Sequence, residues 1–121
     1  MKRLLFIEDD FALLKAYSAK LQLEGFEVTS SANVESALSL LQTFHPDAII
    51  LDIMLQGKMN GFDILEIIKR EERLKNIPVV ILTNLDSEDK TAKEIGAVNY
   101  FIKTKTDPSQ VADYLKSLLS I

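Results

Sequence analysis

The chain has 121 residues, 47% apolar and 26% charged, with a formal net charge of −4 and no cysteine. These figures suit one globular domain with a genuine core. They exclude a disulfide framework or a thiolate metal site, and the negative balance argues against general binding to nucleic acid backbone.

The first strand is expected at about Arg3–Ile7, where the apolar run Leu4-Leu5-Phe6-Ile7 stops at Glu8 and Asp9. The start, Met1-Lys2-Arg3 and four apolar residues before the acids, is too short for a signal peptide. No apolar stretch approaches the ~20 residues of a membrane span, so the expectation is a cytoplasmic protein with no membrane partner. The first helix follows from about Asp10 to Glu24, with Leu14, Tyr17 and Leu21 on one face and Gly25 as its stop. Asp10 suits a first-turn dipole partner. Phe11 has two readings, as core or as an exposed apolar contact. The second strand, about Phe26–Ser30, alternates like a half-exposed edge.

Asn33 is placed to cap a second helix that runs to about Phe44, with Val34, Ala37, Leu38 and Leu41 inward. His45-Pro46 ends it, and the lone His45 reads as a surface residue. The third strand, Ala48–Leu51, is wholly apolar, as a central strand should be, and stops at Asp52. A loop from Gln56 to Gly61 leads to a third helix, about Phe62–Glu72, with Phe62, Leu65 and Ile68 as its inner face. The fourth strand, Val79–Leu82, stops at Thr83. Ser87 is the expected cap of a fourth helix that ends at Gly96. The fifth strand, about Asn99–Ile102, precedes Lys103. Asp107-Pro108 opens the last helix as cap and first residue, with Val111, Tyr114, Leu115 and Leu118 packed down.

Short strands alternating with helices imply a parallel sheet, and five units are too few for a barrel, which takes eight and ~250 residues. The expected fold is α/β: a flavodoxin-like, doubly wound, five-stranded parallel sheet, order 2-1-3-4-5, with five helices. Strand carboxyl ends then share one edge, and Glu8, Asp9 and Asp52 meet at the switch point with Thr83 and Lys103 beside them. Three carboxylates ~5 Å apart repel by roughly 3 kcal/mol per pair at an effective dielectric of about 20, and Lys103 offsets only one charge. An all-oxygen set points to Mg²⁺ or Mn²⁺ and to phosphoryl chemistry. Asp52, central and after the most buried strand, is the candidate nucleophile for an aspartyl phosphate. The three phosphoryl oxygens would fall to the cation, to Thr83 and to Lys103.

Four stretches carry a resemblance: Leu4 to Asp10, Pro46 to Leu55, Ile81-Leu82-Thr83, and Tyr100-Phe101-Ile102-Lys103. In this order, each at a strand end, they are similar to the receiver domain of response regulators over essentially the whole chain. The resemblance implies that Asp52 accepts a phosphoryl group from a histidine kinase or a histidine phosphotransfer protein. It implies that Asp9 binds Mg²⁺ directly, that Glu8 helps through water, and that the Met54 carbonyl is a further ligand. Thr83 and Lys103 would bind the phosphoryl group, and Tyr100 would swing inward as Thr83 moves. That would reshape the face made by the fourth helix, fifth strand and fifth helix, where a downstream protein partner is read. The chain would catalyse its own phosphorylation and dephosphorylation without being an enzyme on an external substrate, as a monomer or a phosphorylation-dependent dimer.

The chain departs from the family pattern in places. Thr104 follows Lys103 where the family usually has a cis-proline. Either the bond is trans and the loop reshaped, or a strained bond is held by its surroundings, and Lys105 is the fallback cation. The loop after Asp52 lacks the usual proline at Gln56 and is one residue longer. Asn84 stands where a small residue normally follows the threonine. Met54 and Leu85 are apolar at positions that influence self-dephosphorylation, which predicts slow hydrolysis. Met54 also stands where an aspartyl-phosphate phosphatase needs its second acid, and the acidic first loop does not suit a flavin phosphate. The alternative is a phosphorylation-inactive receiver-like interaction domain. The chain ends soon after the fifth helix, so the expectation is a single domain over 1–121 with no output domain.

Overall fold

Every residue, Met1–Ile121, is described by a computed structural model. The apolar runs form β1 (Arg3–Ile7), β2 (Glu27–Ser31), β3 (Ala48–Leu51), β4 (Val79–Thr83) and β5 (Asn99–Ile102). Between and after them lie α1 (Phe11–Leu23), α2 (Val34–Leu41), α3 (Gly61–Arg70), α4 (Asp89–Ile95) and α5 (Pro108–Leu119). All strand pairs are parallel, in the order β2-β1-β3-β4-β5. The fold is the flavodoxin-like one expected.

Strand side chains alternate between two faces, and both faces are covered. Leu5, Ile7, Ile49, Leu51, Val79 and Ile81 pack with α2, α3 and α4. Leu4, Phe6, Ala48, Ile50, Val80 and Leu82 pack with α1 and α5. This two-sided burial explains why β3 and β4 read as unbroken apolar runs. The edge strands β2 and β5 are only partly buried.

Side-chain caps fix where most helices begin. Asp10 Oδ1 accepts from Leu13 N at 3.1 Å, and Asn33 Oδ1 from Ser36 N at 2.8 Å. Asp10 is therefore the N-cap of α1 and not its first residue. Asp107 and Gln110 form a reciprocal capping box at α5 with Pro108 in the first turn. Asn60 and Asp63 form another at α3, which starts at Gly61 and ends at Arg70, earlier than its apolar pattern suggests. The expected cap at Ser87 is not made: α4 begins after Glu88 with no side-chain cap. Helix α2 stops at Leu41 instead of Phe44; the Phe44 ring packs against the core and lies 4.9 Å from the Arg3 guanidinium. No helix is long and apolar enough to cross a membrane.

Candidate functional site

Parallel register brings the strand ends level. Ile7 pairs with Leu51, Leu51 with Ile81, and Thr83 with Ile102. The residues that follow, or that end the strand, therefore share one crevice at the carboxyl edge, between β1 and β3 where the winding direction reverses. Asp52 N continues the ladder by donating to Ile7 O at 3.1 Å.

Glu8, Asp52 and Thr83 are all buried, and Asp9 is exposed. One carboxylate oxygen from each of Glu8, Asp9 and Asp52 lies within 4.8 Å of the others. Lys103 reaches between two of them. Its Nζ donates to Asp52 Oδ2 at 2.7 Å and lies 2.7 Å from Glu8 Oε1. Backbone amides hold the other oxygens: Met54 N donates to Asp52 Oδ1 and Asp10 N to Glu8 Oε2, both at 3.0 Å. Glu8 Oε1 is balanced by the ammonium's charge but has no donor aligned with it.

The electrostatics follow from burial. Desolvation pushes the Glu8 carboxyl above its ordinary range, and repulsion from Asp52 adds to this while Lys103 and the Asp10 amide oppose it. Burial also works against the charge on Lys103, yet its two carboxylate partners outweigh that and raise its pKa. A buried acidic oxygen with no aligned donor, beside two more carboxylates, suits a divalent cation with an all-oxygen preference. The residues present thus fit such an ion.

Thr83 Oγ1 accepts a long hydrogen bond, 3.4 Å, from Leu85 N. The Tyr100 hydroxyl donates to the Leu85 carbonyl, so Tyr100 and Thr83 meet the same short segment. Burial raises the Tyr100 pKa, helped by Asp89, Glu88 and Asp86 nearby. After β5 the chain makes a 3-10 turn, Lys103–Lys105, and no peptide bond is cis. Of the two readings of Thr104, the trans one therefore holds. Lys103 still reaches the acids, and the fallback Lys105 is exposed and pairs with none of them. Phe11 is 75% exposed and Met54 55% exposed, both beside the crevice, so Phe11 is not core. His45 is a surface residue whose carbonyl accepts from the Arg3 guanidinium at 3.3 Å.

Sequence reasoning missed three contacts around these acids: the double pairing of Lys103, the amide clasp of Gln56 on Asp9, and the backbone approach of Gly61 to Asp52. Only the last left a local trace, since Asn60 and Asp63 stand at capping-box spacing around it.

An open parallel sheet with an acidic crevice at its switch point places the chain among α/β proteins that bind ligands at the strand carboxyl edge. The sequence matches the response regulator receiver domain over residues 4–116, and the chain belongs to that family. Receiver domains are switches of two-component signalling and not classical enzymes; they work with histidine kinases or phosphotransfer proteins. The chain is 38% identical over 105 residues to the transcriptional regulatory protein AfsQ1 of Streptomyces coelicolor, covering 85% of this chain and 45% of that one. It spans about half the length of the curated relatives it matches. A putative response regulator from Chloroflexus aurantiacus superposes with a TM-score of 0.89 at 29% identity, over 99% of this chain and 98% of that one. The Mn²⁺-bound form of response regulator Rcp1 gives 0.83 at 27% identity, over 97% and 93%.

Proposed function

We propose that the chain is a phosphorylation-controlled switch. Asp52 takes a phosphoryl group from the phosphohistidine of a kinase or phosphotransfer protein. The observation that carries this reading is the Lys103 ammonium, 2.7 Å from both Asp52 and Glu8 in a buried crevice. Such an arrangement has little structural purpose, because desolvating three charges costs more than a well-packed apolar substitute would. It does suit phosphoryl transfer, where catalysis is mostly positioning and charge stabilisation.

In this mechanism an Asp52 oxygen attacks phosphorus in line with the bond to the donor nitrogen, and that P–N bond breaks with its electron pair returning to the donor imidazole. The Met54 amide holds the other oxygen and so fixes the carboxylate plane. Lys103, paired with Asp52 Oδ2 before transfer, passes to an oxygen of the new phosphoryl group, and the Thr83 hydroxyl binds another. Glu8, Asp9, Asp52 and the Met54 carbonyl are the groups that would hold Mg²⁺, or Mn²⁺ as in the Rcp1 structure. The bound ion would offset the acidic excess and the incoming phosphoryl charge. When Thr83 turns toward the phosphoryl group, its contact with the Leu85 segment changes, and Tyr100 is tied to that segment. The face of α4, β5 and α5 is thereby altered for a protein partner. Exposed Phe11 and Met54 suit an apolar contact with the phosphate-donating helix bundle.

The test is intact mass after incubation with a small phosphodonor and Mg²⁺. This chain should gain one phosphoryl group and Asp52→Asn should gain none. No gain in either, with no Mg²⁺ binding, would favour an inactive interaction domain instead. The reach of Lys103 despite Thr104 weighs against that alternative.

A second expected result concerns the lifetime of the phosphorylated form. Neither Met54 nor Leu85 can orient a water against the phosphoryl group, so hydrolysis should be slow. One well-placed hydrogen bond is worth about 1 kcal/mol, or roughly fivefold in rate. Met54→Asn and Leu85→Gln together should accelerate loss of the label by about tenfold or more. A decay unchanged by both substitutions would refute the reading.

A further inference from the structure

The three acids are not held alike. Glu8 and Asp52 are buried, each next to the Lys103 ammonium, and each accepts from the amide two residues ahead. Asp9 is exposed and has neither advantage. What holds it comes from another loop: the backbone N–H of Gln56 donates to Asp9 Oδ2 at 3.2 Å, across 47 positions of sequence. Leu55 before this amide is buried in the core, and Gly57 after it turns the chain at φ +118°. The Gln56 side chain is exposed.

We propose that the Gln56 amide is the positioning group for Asp9, holding this carboxylate toward the cation site before a cation binds. The inference rests on the divalent-cation reading above. A free surface carboxylate loses rotamer freedom when it captures an ion. One already held by a backbone donor has lost that freedom on folding. The bond uses one lone pair of Oδ2 and leaves the carboxylate's remaining lone pairs for an ion. The donor exists because residue 56 is not proline, which has no N–H. The departure from the family pattern in this loop thus supplies a hydrogen bond that the usual residue would not make.

The experiment titrates Mg²⁺ alone into the unmodified chain, Gln56→Ala and Gln56→Pro, read by calorimetry, with thermal melts as a check on folding. In parallel, hydrogen exchange of the Gln56 amide is followed without metal, in the unmodified chain and in Asp9→Ala. Gln56→Ala keeps the amide and should bind as the parent does. Gln56→Pro should bind about tenfold more weakly, the lower end of what lost outer contacts cost a metal site. The Gln56 amide should exchange slowly in the parent and quickly in Asp9→Ala.

Equal affinity in Gln56→Pro and the parent would overturn the proposal, as would an amide whose exchange ignores Asp9→Ala. If Gln56→Pro melts early, the exchange pair decides alone. If the parent binds no Mg²⁺, the cation reading fails and the positioning role falls with it. A still-protected amide would then show that the clasp exists without that purpose.

Discussion

Gly61→Ala should lower the stability of the domain by about 3 kcal/mol, the upper range for forcing an extra methyl into a packed interior. A Cβ at this position would sit 2.3 Å from the carbonyl oxygen of Asp52 and 2.4 Å from the Cα of Ile53. Those are backbone atoms at the end of the central strand, so no side chain can rotate to make room. The first turn of α3 would have to move off the sheet, breaking the bond from Gly61 N to Ile53 O at 2.9 Å. Helix propensity alone predicts the opposite sign, since alanine is favoured over glycine in helices by about 1 kcal/mol. Urea unfolding therefore separates the two effects cleanly. The parent should have roughly 5–15 kcal/mol of stability, so most Gly61→Ala molecules should still fold. Their Asp52 backbone would be displaced, and the rate of phosphoryl uptake from a small donor should fall in step. A variant as stable as the parent would mean that α3 does not rest on the acceptor's own backbone.

That contact marks where sequence reading stops. Apolar runs that halt at Glu8, Asp52 and Thr83 announce the strands, because a doubly covered sheet needs unbroken apolar strands and its carboxyl edge needs polar ends. The site residues were legible for the same reason: topology alone carries them to one edge. Helix ends were less legible. Phe44 continues the apolar period of α2 and packs on the same core, yet it lies beyond the helix end, and Ser87 looks like a cap but Glu88 holds that place. Periodicity reports which face is apolar and not where a chain finds a better partner. Hardest of all were contacts made by backbone atoms. The Gln56 amide on Asp9 leaves no mark in residue type beyond the absence of a ring, and the Gly61 approach to Asp52 only a missing side chain within a capping pair. The turn after Lys103 is intermediate. Thr104 signalled a departure there, and the structure resolves it as a 3-10 turn that keeps the ammonium in reach.

Lys103→Met should cost about 3 kcal/mol near neutral pH in the absence of divalent metal, with a dependence on pH that identifies the cause. Removing one partner of a buried ion pair typically costs 3–5 kcal/mol because the other charge is left uncompensated. Here two carboxylates are left, with side chains at Glu8 and Asp52 almost wholly buried. The signs follow from linkage. In the parent, burial holds the Glu8 pKa above its ordinary value of 4.5. The folded state thus binds more protons than the unfolded one, and stability falls as pH rises from 4.5 to the raised value. Lys103 is raised above 10.5 despite its own burial, because Asp52 and Glu8 favour its charge. Its contribution is complete below 10.5 and is lost as pH climbs through the raised value. In Lys103→Met the second contribution is gone, and Glu8 keeps the desolvation and the Asp52 repulsion without the ammonium. Its pKa should climb further and the window of falling stability should widen upward. The stability gap between parent and variant should therefore be small at acid pH, where Glu8 is protonated, and largest near neutral. It should shrink again at strongly alkaline pH, where the parent's ammonium is lost too. Added Mg²⁺ should narrow the neutral gap, since a bound cation supplies part of the missing charge. A gap that is flat with pH and indifferent to Mg²⁺ would show that Lys103 stabilises the fold by packing alone.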